Sequence, residues 1–474
     1  MKLSPRSSFI LVLFLLFLAA FTLRAYVWFT GLSYRIGWTP FDADYYSFDG
    51  IKVIESYLSL NFSEVRVFHP VFTRLLIGVV FSLSRSIFPD NYIIAALLFP
   101  VLFSSFMAPL LYVVGREVGG GKVGLLAALL YIFDPFSIRF SIIFLDLPMI
   151  FFLSLSFLLL YKLKYGEGNR RRLLILSGVF AGLAFSSKHL AIPVFLLLIV
   201  FMRLGLRYYA YLLLVAGVTY YVLNPHIWLL DSLQRAADLQ TGGGAFGLPA
   251  ILAAPLTVGN VLTYPWFILT YLGLLDTGIN SAPFVLRFLL LLAVMYSVYV
   301  ARRFTVNPHV VYWFAALIIP LAFMPRHYWA LIGGDLFYPL SDALEFEGEM
   351  PVFMKSVFPY YYVILLPPVS VIVAQLLLSK ENYSFHTAGF RDRLVTSTTL
   401  FTLLIFALLS PIQLLSNNLY IAFWDFFFVA VLNIGVNETL TTIGYSTLAF
   451  LTILTVTAVG LGTLTLNHIL RNQR

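Results

Sequence analysis

The sequence predicts an all-α polytopic membrane protein, and two observations lead to this fold class. Hydrophobic residues make up 60% of the 474-residue chain, whereas soluble domains are about 45–50% apolar. The apolar segments are about twenty residues long, which is the length that a membrane-spanning helix needs. Segments of about ten residues with alternating polarity, which indicate a membrane β-barrel, are not found in the sequence. We therefore expect one helical bundle of about 11–13 transmembrane helices.

The first apolar segment, residues 8–29, is predicted to be a membrane anchor, because it is too long and too aromatic for a cleaved signal peptide. Lys2 and Arg6 precede it and predict a cytoplasmic N-terminus. Further spans are predicted near residues 92–115, 122–140, 145–163, 171–187, 189–203, 207–223, 283–301, 309–325, 357–379, 395–417 and 443–467. They bring both termini to the cytoplasm, and two further apolar segments (250–275 and 419–436) leave the number of spans open by about two.

Residues 30–91 form a long external segment between the first two spans. Within it, residues 45–60 and 71–87 are amphipathic, which predicts helices that lie on the membrane surface. We accordingly expect an N-terminal transmembrane module (1–223), an external loop region (224–281) and a variable C-terminal transmembrane module (282–474).

The distribution of charge agrees with this topology. More than half of the 30 lysines and arginines fall in the predicted cytoplasmic loops and tails, as the positive-inside rule requires. Only Glu117, Glu167, Glu381 and Asp392 of the 22 acidic residues share that side. The outer face is therefore acidic and carries the long loops, so we predict that the protein acts at the outer face of the cell membrane.

Composition also excludes several classes of function. The chain contains no cysteine, which excludes disulfides, thiolate metal sites and cysteine nucleophiles. The net charge of +8 is spread over short clusters between the spans, so it indicates membrane topology rather than a surface that binds nucleic acid.

An acidic stretch from Phe41 to Gly50 follows the first span and is the first candidate site. It holds Asp42, Asp44 and Asp49 in a chain that is only 11% charged. Asp42 and Asp44 are two residues apart, so in an extended or loop segment both side chains can approach one cation or one polar substrate. The alternative interpretation is an acidic, solvated loop.

Asp146 is the second candidate, because it lies among Ile, Phe and Leu at the predicted outer end of a span. A carboxylate in such surroundings is costly unless it is paired or binds a ligand. The alternative is a helix cap, with Pro148 in the first helical turn. The predicted topology places Asp146 on the same face as Asp42 and Asp44, whereas Asp134-Pro135 is typical of a turn.

Four basic residues are the remaining candidates. His69-Pro70 opens the second amphipathic segment and Arg74 follows one turn later, so His69 could ligate a metal and Arg74 could bind phosphate. Lys188 falls at an outer helix end, where it could neutralise an anionic headgroup or merely extend toward the interface. Arg326, before a long acidic loop, could serve in substrate binding.

Close helix packing is predicted at Gly178 and Gly182, which form a small-xxx-small pair. The glycine-rich segment 115–123 is predicted to be a cytoplasmic turn, because its spacing differs from that of a phosphate-binding loop.

Taken together, these motifs resemble the GT-C glycosyltransferases, and most closely the branch that contains the protein O-mannosyltransferases and aminoarabinose transferases. This sequence departs from the family pattern at two places. Asp42-Ala43 stands where the family usually has Asp-Glu, with Asp44 one place later, and Arg139 lies two places before the position of the family's arginine. The matching stretches are Phe41-Asp42 with Tyr45-Tyr46, His69-Pro70 through Ile77, Leu145-Asp146, Ser187-Lys188-His189 and Leu366-Pro367-Pro368.

The resemblance implies an inverting transferase that moves a sugar from a polyprenyl (dolichyl) phosphate carrier to a lipid, glycan or protein acceptor at the outer face of the membrane. Asp42 would be the base, and Lys188, Arg74 and Arg326 would bind the donor phosphate. Asp44, Asp146 and His69 could hold a divalent cation, Mg²⁺ or Mn²⁺, or orient the acceptor.

Two other functions remain open at this point. Asp42-Ala43-Asp44 also fits an oligosaccharyltransferase, although the Trp-Trp-Asp-Tyr-Gly motif of those enzymes is not found in the sequence. A transporter would need ionisable residues at the membrane midplane and internal repeats, whereas the carboxylates here cluster at the outer interface.

Overall fold

A computed structural model describes residues 4–30, 43–61, 70–165, 168–225, 306–322 and 363–378. The regular secondary structure in these ranges is helical, which confirms the all-α fold class. The helices are α1 (Pro5–Phe29), α2 (Ala43–Ser59), α3 (Val71–Ile87), α4 (Tyr92–Gly119), α5 (Gly121–Phe133), α6 (Pro135–Arg139), α7 (Asp146–Tyr165), α8 (Arg170–Phe185), α9 (Ala191–Met202), α10 (Leu206–Leu223), α11 (Pro308–Ala322) and α12 (Leu366–Leu378).

Helices α1, α4, α7 and α10 are long and apolar enough to cross a membrane. Shorter apolar helices occupy Gly121–Phe133, Ala191–Met202 and Val363–Leu378. The side of α1 that carries Ile10, Phe14 and Leu15 is exposed, as is Leu214 on α10. Large apolar side chains on an outer surface of this kind are stabilised by lipid and not by water. The chain is therefore an integral membrane protein, as the composition predicts.

Helices α4 and α5 form a hairpin at the glycine-rich turn. Gly120 has a φ of +91°, a conformation that glycine adopts readily and other residues rarely adopt. The helices then approach so closely that a Cβ on Gly115 would lie 2.7 Å from the Cα of Gly124. This confirms the predicted turn between two helices.

The single span predicted over residues 122–140 is wrong, because the structure breaks it into α5 and α6. Asp134 lies at the break with an extended backbone, and its carboxylate accepts a hydrogen bond from the backbone N–H of Ser137 at 2.8 Å. Pro135 has no N–H with which to continue α5, and it is well suited to the first turn of a new helix. The predicted turn at Asp134-Pro135 is confirmed.

Both predicted amphipathic helices of the first external segment are present, as α2 and α3. They cross where Gly50 meets Gly78, since a Cβ on Gly50 would lie 2.6 Å from the backbone nitrogen of Gly78. Gly178 and Gly182 on α8 likewise contact α10, where a Cβ on Gly182 would lie 2.5 Å from the Cβ of Thr219. The predicted small-xxx-small contact is therefore confirmed.

Helices α11 and α12 pack against the N-terminal bundle. The side-chain amide of Gln375 on α12 donates to the backbone carbonyl of Val118 on α4 at 3.0 Å, and its oxygen accepts from the backbone N–H of Asn307 at 3.2 Å. Residues 226–305 lie outside the described ranges, so the division at 223/224 and 281/282 stays a prediction.

Candidate active site

Several helix ends meet at one end of the bundle, which we call the ion-pair end because Asp146 and Lys188 lie there. Helix α7 begins there with Asp146, and α8 ends there at Phe185 before the turn that contains Ser186, Ser187 and Lys188. The N-terminus of α3 and the C-terminus of α10 contact the same turn through side-chain and backbone hydrogen bonds. Functional groups from distant parts of the chain are thereby brought together.

Asp146 and Lys188 form a buried ion pair. The Nζ of Lys188 donates to Oδ1 of Asp146 at 2.8 Å and to Oδ2 at 2.7 Å, and the two residues are only 9% and 2% exposed. Removing one member of such a pair leaves an uncompensated charge in an apolar environment. Both residues were predicted to be functional from the sequence, but in separate roles. The structure shows that they are partners of each other.

Arg74, which is buried, forms a second ion pair with the partly buried Asp49. Its Nη1 donates to Oδ2 of Asp49 at 2.7 Å, and its Nε donates to the backbone carbonyl of Pro70 at 3.1 Å. The close crossing of α2 and α3 at Gly50 and Gly78 brings Asp49 within reach, since Asp49 immediately precedes Gly50. Asp49 was part of the acidic stretch seen in the sequence, but its pairing with Arg74 was not predicted.

A direct contact joins the segments that carry the two cations. The hydroxyl groups of Thr73 and Ser187 are hydrogen-bonded at 2.9 Å, and the backbone N–H of Thr73 donates to the carbonyl of Ser186 at 3.4 Å. Arg74 and Lys188 are the next residues along the chain. Two buried cations, each paired with a carboxylate, therefore lie on adjacent segments at the ion-pair end.

Two further side chains at this end interact electrostatically with Arg74. His189 Nε2 is hydrogen-bonded to the hydroxyl of Tyr220 at 3.1 Å. Part of the His189 ring is exposed, yet the surrounding protein removes enough water to lower the pKa of His189, and the charge of Arg74 lowers it further. Burial raises the pKa of Tyr57 to about 12 against the opposing effect of Arg74, so Tyr57 stays protonated and donates to the backbone carbonyl of Leu223 at 2.9 Å.

Sequence reasoning missed Asn224, whose side chain is fully buried at the same end and contacts both α3 and Ser186. The available signal was a polar Asn-Pro pair that directly follows an apolar segment. His189 was noticed only as a neighbour of Lys188.

Several predicted site residues lie outside the part of the chain that the structure describes. These are Asp42, His69 and Arg326, and for Asp44 only the backbone, in the first turn of α2, is described. The predicted convergence of Asp42 and Asp44 with Asp146 therefore stays a prediction. Of the predicted residues that are described, Asp146, Lys188 and Arg74 are all brought to the ion-pair end.

Of the three predicted cation ligands, only Asp146 has a side chain that the structure describes. Both oxygens of this carboxylate accept hydrogen bonds from the ammonium of Lys188, so the ammonium occupies the place of a cation held by Asp146. Among the described side chains, no three histidine, aspartate or glutamate residues form a metal-binding group. The predicted cation site of Asp44, Asp146 and His69 therefore stays a prediction.

Of the comparisons with known proteins, a match to a family model supports the predicted resemblance. A search of curated proteins gives no match to the chain. The chain is similar to the crystal structure of ArnT from Cupriavidus metallidurans bound to undecaprenyl phosphate, with 16% sequence identity and a TM-score of 0.41. The match covers 97% of this chain and 77% of the ArnT chain. Residues 80–223, which contain Asp146 and Lys188, match the family model of dolichyl-phosphate-mannose-protein mannosyltransferase, and this match confirms the resemblance predicted from the motifs.

Proposed function

We propose that this protein is a membrane glycosyltransferase that takes a sugar from a polyprenyl-phosphate carrier and delivers it to an acceptor with inversion at the anomeric carbon. The observation that carries the proposal is the buried pair of Asp146 and Lys188, which lies in the segment that matches the mannosyltransferase family. The proposed acceptor is a lipid, a glycan or a protein.

The two ion pairs are suited to a donor whose leaving group is a phosphate. When the bond to the sugar breaks, negative charge grows on the phosphate oxygens, and cations that are already in place stabilise that charge without reorganisation. The guanidinium of Arg74 can also present two N–H groups to a phosphate at once. We assign Lys188 and Arg74 to donor phosphate binding and keep Arg326 as a further candidate.

Asp146 is better suited to positioning Lys188 than to accepting a proton. Both of its oxygens are engaged by Lys188, so a proton taken up there would disrupt the ion pair that holds the cation. The base that activates the acceptor hydroxyl is therefore assigned to Asp42, with Asp44 as the alternative. A base of this kind must lie within hydrogen-bond reach of the acceptor hydroxyl.

The ion-pair end is proposed to face outward, with both termini in the cytoplasm. Helix α7 has 20 residues and begins at Asp146, so its other end is about 30 Å away. That other end carries Lys162 and Lys164 in the last helical turn, and the following α8 begins with three arginines. Basic residues of this kind mark the cytoplasmic side of a membrane protein.

The test uses the purified full-length protein in lipid nanodiscs with polyprenyl phosphates that carry radiolabelled sugars. We expect release of polyprenyl phosphate and transfer of label to an acceptor extracted from the same membranes, with opposite anomeric configurations in donor and product. Lys188→Met should abolish transfer at a donor concentration near the wild-type KM, because the donor phosphate no longer binds. Lys162→Met is the matched control, because Lys162 pairs with Glu117 at 2.8 Å at the other end of the bundle.

Transfer by Lys188→Met at the wild-type rate would contradict the proposed role of the ion pair. Binding of the donor with no transfer to any acceptor, together with movement of the donor across the membrane when the same protein is placed in sealed liposomes, would instead indicate a transporter.

A further inference from the structure

Asn224 makes four hydrogen bonds in the interior, and these account for both sides of its amide group. Its Oδ1 accepts from the backbone N–H groups of Val71 at 2.9 Å and Phe72 at 3.3 Å. Its Nδ2 donates to the hydroxyl of Ser186 at 2.9 Å and to the backbone carbonyl of Tyr220 at 2.7 Å. The side chain is fully buried, so none of these bonds can be replaced by bulk water.

The first two of these bonds complete the N-terminus of α3. That helix follows Pro70, and within the described residues no local side chain caps it. The first N–H groups of a helix need acceptors from outside the helix, and Asn224 supplies one from 153 residues further along the chain. The position of α3 therefore depends on the end of α10.

Of the other two bonds, the one to Ser186 connects the end of α10 to the turn that carries Lys188, and the one to Tyr220 stays within α10. The hydroxyl of Ser186 accepts from Asn224 and donates to the carbonyl of Gly182, so it links α10 to the last turn of α8. With the bonds of Thr73 to Ser186 and Ser187, the first turn of α3 is held against this turn from two sides. Each of the two segments ends in a buried cation, Arg74 on one and Lys188 on the other.

We propose that Asn224 is a positioning residue that fixes Arg74 and Lys188 relative to each other so that one donor phosphate contacts both cations. This inference rests on the proposed function, because it assumes that the ion-pair end receives the phosphate of a polyprenyl carrier. Asn224 lies one residue beyond the segment that matches the mannosyltransferase family, so that match does not assign it a role.

The experiment compares Asn224→Ala with Asn169→Ala, a matched control in the full-length protein. Asn169 also caps a helix, since its Oδ1 accepts from the backbone N–H of Arg172 at 3.1 Å, but it is exposed and belongs to the opposite end of the bundle. For each variant, the melting temperature, the Kd for sugar-free polyprenyl phosphate, and kcat and KM for transfer are measured. Ser186→Ala, which removes one acceptor of Asn224 and leaves the cap of α3 in place, is the second variant if Asn224→Ala does not fold.

We expect Asn224→Ala to raise the Kd for polyprenyl phosphate and the KM for the donor about tenfold, because loss of the link lets the two cations separate. Ser186→Ala should shift both constants in the same direction by a smaller factor. Asn169→Ala should lower the melting temperature while Kd and KM stay within about twofold of wild type.

The outcomes separate this inference from the proposed function. If wild-type protein transfers sugar, and the folded Asn224 and Ser186 variants bind donor as wild type does, the positioning role is overturned and the glycosyltransferase remains. A second outcome is that wild type transfers no sugar, while Asn224→Ala binds polyprenyl phosphate with a Kd about tenfold above that of wild type. In that case the positioning of a phosphate site is supported and the proposed reaction fails.

Discussion

The ammonium of Lys188 contacts both carboxylate oxygens of Asp146, at 2.8 and 2.7 Å, across the 42 residues that separate them in the chain. Asp146 begins α7 and Lys188 follows the end of α8, so the pair joins the two helices at one end of their hairpin. Neither charge is stable in this interior without the other. The pair is therefore a structural element and a source of fixed positive charge at once.

Removing the carboxylate should destabilise the protein strongly. We expect Asp146→Asn to lower the free energy of unfolding by about 3–5 kcal/mol, because the buried ammonium of Lys188 loses the negative charge of this carboxylate. The measurement is thermal unfolding in detergent. Glu117→Gln is the control, because its partner Lys162 is 28% exposed, and such pairs contribute at most about 1 kcal/mol.

The double variant Asp146→Leu with Lys188→Met distinguishes stability from function. It removes both charges, so much of the stability lost in Asp146→Asn should return, while transfer should stay absent because the cation is gone. If the single variant Asp146→Asn were as stable as wild type, other groups would have to compensate the charge of Lys188.

Asp42 and Lys188 should differ in which kinetic constant they control. Asp42→Asn should lower kcat by about 10²–10⁴-fold and leave the Kd for the donor nearly unchanged, because an amide keeps the shape of the carboxylate but accepts no proton at neutral pH. Lys188→Met should instead raise the Kd for the donor. Single-turnover assays and binding of sugar-free carrier separate the two effects.

A kcat for Asp42→Asn above about a tenth of the wild-type value would exclude Asp42 as the base. The same substitution at Asp44 would then be the next experiment.

The sequence predicted individual helices better than it predicted contacts between side chains. Helix α3 spans the predicted residues 71–87, because its amphipathic pattern and the preceding Pro70 are local signals. Asp146 and Lys188 could be found because a charge in an apolar segment needs an explanation. Their pairing, and that of Arg74 with Asp49, depends on how helices cross, which a single sequence does not contain. Asn224 was missed for the same reason, since its acceptors and donors lie in three different segments.

The crossing of α2 and α3 should be sensitive to a single methyl group. A Cβ on Gly78 would lie 2.3 Å from the carbonyl oxygen of Gly50, so Gly78→Ala must push the helices apart. We expect a loss of stability of about 1–3 kcal/mol and weaker donor binding, because Asp49 moves away from Arg74. Melting temperature and Kd for polyprenyl phosphate are the measurements.

Gly217→Ala is the control for that substitution. Nothing lies within 4 Å of a Cβ placed on Gly217 in α10, so alanine should be neutral or stabilise the helix by up to about 1 kcal/mol. Equal effects of the two substitutions would show that α2 and α3 are not held at the observed separation.

The proposed orientation in the membrane can be tested with single cysteines, because the wild-type chain has none. Ser63→Cys, in the predicted external segment, should react with a membrane-impermeant maleimide added to intact cells. Lys122→Cys, at the turn between α4 and α5, should react only after the cells are opened. Labelling of position 63 exclusively from the cytoplasmic side would reverse the topology and with it the outward-facing site.

His189 should make the stability of the protein depend on pH in the mildly acidic range. Its pKa in the folded protein is lowered from 6.5, first by burial and then by Arg74, so the unfolded chain binds more protons at this position than the folded protein does. Unfolding is therefore favoured as the pH falls below about 6.5, and this loss of stability is complete only below the lowered pKa of the folded state. Thermal unfolding of wild type and His189→Gln between pH 7.5 and pH 5 isolates the contribution, since the other histidines are common to both proteins. We expect the melting temperature of wild type to fall more than that of His189→Gln between pH 7.5 and pH 5, and a difference between the two that stays constant across the range would refute the assignment.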